Sequence, residues 1–283
     1  MLKKLMLILF LNAGLISSEP YEFSQEQIEA YHIGSDVELH DLEPLISGDF
    51  FQGAKTVLDI GCGDGKITAL FAKQFPDLTF IGCDISKNMI DFASKKYPAS
   101  EYPNLSFIVK DACDLSYDAE IDRIISYSTL HWVKDQKVAL ASIYNALKPG
   151  GRAFIRTTPK TSNNEYKTIC MKVIMSFKWM THFMGYKSDH SFHSERDYKK
   201  ILTSVGFKVE KIEQKSHETV ISSRSHLNNF LKGVLTLLTH LPESKRGAFL
   251  DDYYEELVNN GNVDEEGAIR IRSDRVDLAL VKP

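Results

Sequence analysis

Three carboxylates and three glycines are spaced as if to hold a small polar ligand. Val57-Leu58-Asp59-Ile60-Gly61-Cys62-Gly63-Asp64-Gly65 runs from an apolar stretch straight into a glycine-rich turn. Glycines at alternate positions let a turn tighten and let its backbone approach a ligand closely. The dinucleotide spacing G-x-G-x-x-G is not met, because Gly61, Gly63 and Gly65 give G-x-G-x-G. Asp64 lies within the turn, where a carboxylate would repel a pyrophosphate. The turn therefore suits a ligand without phosphates and with positive charge. Asp84 ends a second apolar run, where an acid can accept from both hydroxyls of a ribose. Asp111, with Ala112 after it, ends a third; its carboxylate can accept from a ring amine while the next N–H addresses the ring. Singly, each acid reads as a helix cap or a solvated loop. In order behind one glycine turn, they read as a site.

Such residues need elements that bring them to one edge. Predicted strands at 56–60, 79–83, 105–109, 121–127 and 153–157 alternate with helices at 66–74, 87–97 and 138–147. Strand, helix, strand at this spacing means βαβ units, a parallel sheet and loops gathered at one edge. Ser24 and Gln27 form a capping box for an N-terminal helix, and Pro149-Gly150-Gly151 reads as a hard turn. From 159 to 193 the pattern breaks into an inserted segment rich in lysine, aromatics and methionine (Met171, Met175, Met180, Met184). A helix at 194–205 stopped by Gly206, a strand at 208–221, helices at 225–241 and 243–259, and a strand at 269–281 complete the chain. The fold expected is α/β: a doubly wound, mostly parallel seven-stranded sheet with an antiparallel edge and helical insertions over the active edge.

The chain has 283 residues, 43% hydrophobic and 25% charged, enough to bury a large core with no bias to disorder. A net charge of −4 gives no reason to expect nucleic acid as partner. Lys3 and Lys4 precede an apolar run from Leu5 to Ile16, then Ser17 and Ser18, which reads as a signal-like segment over 1–18. It is short for a membrane span, so no stable membrane insertion is expected. Residues 19–283 read as the catalytic domain, with a cofactor half at about 50–158 and substrate-side elements at 19–49 and 159–283. Cys62, Cys83, Cys113 and Cys170 form no C-x-x-C pair, and no His/Cys spacing suggests a metal. That thiol pattern suits a reducing compartment, whereas the leading segment suggests export.

The motifs VLDIGCGDG, IGCDIS, VKDACDL, IDRIISYSTLHWVKD and LKPGGRAFI resemble, in order and spacing, the class I S-adenosylmethionine-dependent methyltransferases. Leu130-His131-Trp132 and the late helix ending in Tyr253-Tyr254-Glu255-Glu256-Leu257 look most like trans-aconitate and juvenile hormone acid methyltransferases. The resemblance implies S-adenosyl-L-methionine as cofactor. It implies Asp59, Gly61, Cys62 and Gly63 along the methionine part and Asp84, with Ile85 beside it, at the ribose. It further implies Asp111 and Ala112 at the adenine and Ser126 beside the sulfonium. It also implies a small-molecule acceptor, with a carboxylate among the candidates; an ionised carboxylate needs no general base, whereas a hydroxyl or amine benefits from one.

His131 is the candidate base or acceptor-orienting group; it reads equally as a packed imidazole. Trp132 is a candidate pocket wall, and Arg156, with Lys160, a candidate for an acidic acceptor. Tyr21 and Tyr31 could close the site from the N-terminal helix. The methionine-rich insertion suits an adaptable apolar pocket or lid, which favours a fatty or terpenoid acid. A monomer or weak dimer is expected. A protein or carrier-bound acyl acceptor, a non-catalytic cofactor-binding module and a misread NAD-dependent dehydrogenase stay open as alternatives.

Overall fold

Short β-rich runs separated by amphipathic stretches dictate alternating strands and helices. The computed structural model, which describes residues 22–283 apart from 43, 44, 46, 47, 162 and 189, has that alternation. The signal-like segment and Tyr21 lie outside the described residues. Helix α1 (Gln25–Gly34) opens on the Ser24–Gln27 capping box. Then follow β1 (Thr56–Ile60), α2 (Lys66–Gln74), β2 (Thr79–Asp84), α3 (Lys87–Lys96), β3 (Leu105–Val109), β4 (Ile121–Tyr127), α4 (Gln136–Ala146) and β5 (Leu147–Thr157). After β5 come α5 (Glu165–Ile174), α6 (Glu195–Val205), β6 (Lys208–Ile221), α7 (Arg224–Val234), α8 (Glu243–Asn259) and β7 (Ile269–Val281).

The seven strands are ordered β3-β2-β1-β4-β5-β7-β6. The first five are parallel, and β7 is antiparallel to both neighbours. Strand order reverses between β1 and β4, so the loops leaving them diverge and open a crevice at their carboxyl ends. Pro149-Gly150-Gly151 does not precede β5 but lies inside it. Gly150 takes φ +76°, and the β4–β5 register shifts between the Ile121–Leu147 and Arg123–Arg152 pairs, so the expected turn is a bulge. The predicted helix 225–241 stops at Val234 and resumes as a 3₁₀ turn over Thr236–His240. Gly233, Val234 and Thr236, all poor helix formers, sit at the break.

One core cluster packs Leu58, Ile124, Leu140, Ile143, Tyr198 and Leu278 between the sheet and α4 and α6. Another packs Val57, Phe71, Phe80 and Ile125 on α2. A third lies under α5, α7 and α8, around Trp179, Leu227, Phe249, Tyr253 and Ile271. It covers the part of the β6–β7 ribbon that runs on to Ile221–Ile269, past the last β5 pair, Thr157–Val276. Helix α1 crosses α7 at backbone contact. A Cβ on Gly34 would meet the Phe230 nitrogen at 2.4 Å, and one on Gly233 would meet the Tyr31 Cβ at 2.5 Å. That crossing lays α1 beside the mouth of the crevice.

Candidate active site

The glycine turn consumes its own backbone donors. Gly61 and Cys62 N–H donate to the Cys83 carbonyl at 2.7 and 2.9 Å, and Gly65 N–H donates to the Cys62 carbonyl at 2.9 Å. Gly63 N–H donates to Asp84 Oδ2 at 3.1 Å. A pyrophosphate needs such N–H groups unpaired, and the turn offers none of these four. Asp64 plays a different part from the one expected. It is buried, accepts from Lys66 N–H, and pairs with His32 Nδ1 of α1 at 2.7 Å. Phosphate is therefore disfavoured by spent donors, not by a carboxylate facing the ligand.

Asp84 ends β2 half-buried, with Oδ1 on Ser86 N–H at 2.9 Å. Burial raises its carboxyl above the usual range, against the pull of the Ser86 and Gly63 N–H groups. Ile85 beside it is exposed. Asp111, exposed at the end of β3, accepts from Cys113 N–H at 2.8 Å, and Ala112 is buried. Asp59 is 2% exposed on β1, and its Oδ2 accepts from Thr68 Oγ1 at 2.5 Å. Burial pushes its carboxyl up to about 7, with Asp84 adding to the effect. Ser126 is buried with its hydroxyl on the Ile60 carbonyl at 2.9 Å. Gly61 cannot carry a side chain: φ is +69° and a Cβ would sit 2.1 Å from Thr129. The four cysteines are free, and burial raises the Cys62 thiol well above its ordinary value. Among the described residues no group of His, Cys, Asp and Glu could hold a metal.

The N-terminal segment closes over this edge. Tyr31 lies over the turn, 3.5 Å from where a Gly63 Cβ would be. Lys66 reaches back to the His32 carbonyl, to Ser35 Oγ at 3.0 Å and to Asp36 at 2.6 Å. Glu22 caps α3 next to Asp84, accepting from Ser86 Oγ at 2.8 Å and Lys87 N–H at 3.0 Å. A cavity of about 20 Å³ remains under the turn, bounded by Tyr31, Asp59, Lys66 and Tyr127. That is room for one water. The buried Tyr127 hydroxyl has no hydrogen-bond partner among the described residues. Sequence reasoning missed Glu22 and His32, because their roles arise only from the α1 crossing.

On the other side, the loop after β4 carries His131 and Trp132 in a short 3₁₀ turn. His131 is buried with Nδ1 3.2 Å from Thr157 Oγ1. Desolvation, with His190 adding, drives its imidazole down to about 3. His190 and Phe192 return from the insertion to stack here: His190 lies 4.1 Å from the Trp132 ring, and Phe192 lies parallel to His131 at 6.2 Å. Ser191 N–H bonds the His131 carbonyl at 2.8 Å, fixing that return. Neither His190 nor Phe192 was singled out in the sequence, though His190-Ser191-Phe192-His193 is dense enough in rings to have drawn notice.

Arg156 corrects an expectation. Rather than standing open to an acidic acceptor, it is 7% exposed, with Nε and Nη2 on the two oxygens of Asp277 at 2.7 and 2.8 Å. The two residues face each other across β5 and β7, with the Tyr127 and Phe154 rings each 5.5 Å from the guanidinium. Its fork is filled by its own carboxylate, so it offers no open anion site. Lys160 is exposed and its backbone bonds His193.

The acceptor-rich edge fits a nucleoside cation. Asp59 lies buried on β1 beside the turn, Asp84 ends β2 and Asp111 follows β3, so three carboxylates gather at one sheet edge, where the spent turn disfavours phosphate. Comparison with known proteins agrees. A family profile described as a methyltransferase domain matches residues 57–151. The chain is 26% identical to juvenile hormone acid O-methyltransferase of Drosophila melanogaster, over 82% of this chain and 83% of that one. It is 26% identical to trans-aconitate 2-methyltransferase of Deinococcus radiodurans, over 71% of this chain and 78% of that one. The fold matches phosphoethanolamine N-methyltransferase 2 of Haemonchus contortus, solved with S-adenosyl-L-methionine, at a TM-score of 0.59 and 19% identity, over 90% of this chain and 56% of that one. The ordered motifs, the sheet that carries them and these relatives together support a class I S-adenosylmethionine-dependent methyltransferase.

Proposed function

We propose that the chain methylates the carboxylate of a small lipophilic acid. The observation that carries this reading is His131. A hydroxyl or amine acceptor benefits from a base near neutral pH, and an imidazole that burial drives down to about 3 is a poor one. A carboxylate arrives already ionised. His131 then acts as a neutral hydrogen-bonding group that orients the acceptor, with Trp132, His190 and Phe192 as an aromatic wall. Two relatives whose names specify acids, juvenile hormone acid and trans-aconitate, support the same acceptor class.

In this reading Asp59, Gly61, Cys62 and Gly63 line the methionine part of the cofactor and Asp84 accepts from the ribose. Ile85, Asp111 and Ala112 flank the adenine, and Ser126 holds β1 and β4 together beside the reacting centre. S-adenosylmethionine supplies an activated methyl group on a sulfonium, whose leaving group is neutral. The protein's task is to hold the acceptor oxygen in line and exclude water, a contribution of about 7–11 kcal/mol in well-oriented systems.

The test is an acceptor screen with radiolabelled cofactor across fatty and terpenoid acids and the matching alcohols and amines. Methyl esters are expected. At saturating cofactor, kcat/KM should follow ionisation of the acceptor carboxyl, with no limb near pH 6.5. Transfer confined to alcohols or amines, with a limb in that range, would overturn the reading. For the cofactor side, Asp84→Ala is expected to weaken binding by about 1–3 kcal/mol through lost charged hydrogen bonds. Calorimetry showing unchanged affinity would remove the ribose role.

A further inference from the structure

Of the large apolar side chains that the described residues expose, five fall between Met171 and Met184: Met171, Met175, Phe177, Met180 and Met184. Phe177 is 97% exposed, at the tip of the turn between α5 and the 3₁₀ turn Met180–Phe183. Single apolar residues on a surface need no explanation, but a cluster led by a bare phenylalanine does. The tip is also charge-segregated. Residues 166–187 carry Lys167, Lys172, Lys178 and Lys187 and no Asp or Glu, in a chain of net charge −4.

The acidic helix beside the tip does not cancel this. Lys172 pairs with Glu256, and Lys178 with Asp252, each at 2.8 Å, so those two lysines neutralise the adjoining face of α8. Lys167 and Lys187 form no ion pair with a described carboxylate; the Lys167 ammonium lies over the Phe192 ring at 5.7 Å, and Lys187 is exposed. An exposed aromatic and flexible thioethers, with Lys187 on the same insertion left without a described counter-charge, match the headgroup boundary of an anionic bilayer: apolar groups enter a few ångströms and an ammonium group meets phosphates.

We propose that the tip of this insertion, centred on Phe177, docks the enzyme on membranes bearing anionic lipids. The insertion returns through Ser191 to the carbonyl of His131, which ties it to the loop after β4. The attachment is peripheral: among the described residues no helix is long and apolar enough to cross a membrane. The inference does not depend on which acceptor is methylated.

The test is co-sedimentation of the full chain with vesicles of phosphatidylcholine alone and of phosphatidylcholine mixed with phosphatidylserine. Binding is expected to the mixed vesicles only and should fall as salt is raised. Phe177→Ser should weaken it about tenfold, roughly the weight of one phenylalanine partly withdrawn from water. Lys187→Glu should weaken it as well. Both positions lie on the surface, so circular dichroism and cofactor affinity should stay at wild-type values. Wild-type protein that stays in solution with both vesicles, equal binding to both, or Phe177→Ser binding like wild type would overturn the proposal. So would a wild-type dimer that Phe177→Ser dissociates with no vesicle binding, which would assign the patch to a second copy.

Discussion

Asp59→Asn is expected to stabilise the unliganded protein at pH 8 by about 2–4 kcal/mol and to weaken cofactor binding at least tenfold. Asp59 is 2% exposed, with a single side-chain hydrogen bond, from Thr68, and with Asp84 close enough to repel it. Its carboxyl rises from 3.8 to about 7 on folding. Since the folded state holds the proton more tightly, stability falls as pH climbs from about 4 to about 7 and stays low above that. The gap corresponds to about 4 kcal/mol at most, and some of it returns as hydrogen bonding to asparagine. A buried carboxylate that destabilises its own fold makes sense where a cation arrives to meet it. Cofactor affinity of the wild type should accordingly rise between pH 6 and 8, and that rise should vanish in the variant. Urea unfolding across pH, with calorimetric titration of the cofactor, checks both halves. A stability–pH curve identical in the two proteins would show that Asp59 does not titrate in this range.

Much of the frame was legible in the residues because it is local. Strands β1 to β4 are short runs ended by glycine, acid or a polar loop, and helix bounds followed from Ser86, Gly206 and the prolines. The acids at 59, 84 and 111 reach one edge because parallel βαβ units leave them nowhere else. What the sequence hid is set by distant contacts. Asp64 looked like a ligand-facing charge, but His32, 32 residues away, claims it. His131 reads in the sequence as a base or an orienting group, and nothing near it in the chain announces the burial, with His190 adding, that lowers its imidazole to about 3. Pro149-Gly150-Gly151 carried every mark of a turn, yet pairing with β4 and β7 draws it into a strand as a bulge. Arg156 looked like an anion site because nothing near it in the chain announces Asp277.

That last pair supports the second large prediction. Asp277→Ala is expected to cost about 3–5 kcal/mol, because it leaves the Arg156 guanidinium buried without a counter-charge. The double variant Arg156→Met/Asp277→Leu should recover most of that loss, since apolar groups of similar volume can replace a buried pair at little cost. The surroundings favour this: the guanidinium already lies against the Tyr127 and Phe154 rings, 5.5 Å from each, where Met or Leu would pack. The same variants decide what Arg156 does. A residue that only ties β5 to β7 leaves the acceptor KM of the refolded double variant near wild type. A residue that grips an acidic acceptor raises that KM by a hundredfold or more whatever the stability. Denaturant unfolding of the two variants, with acceptor kinetics on the double variant, separates these outcomes. We expect a strand tie: with both Asp277 oxygens on its Nε and Nη2 at 2.7 and 2.8 Å, the pair is neutral overall and the fork is already occupied, which disfavours a second carboxylate.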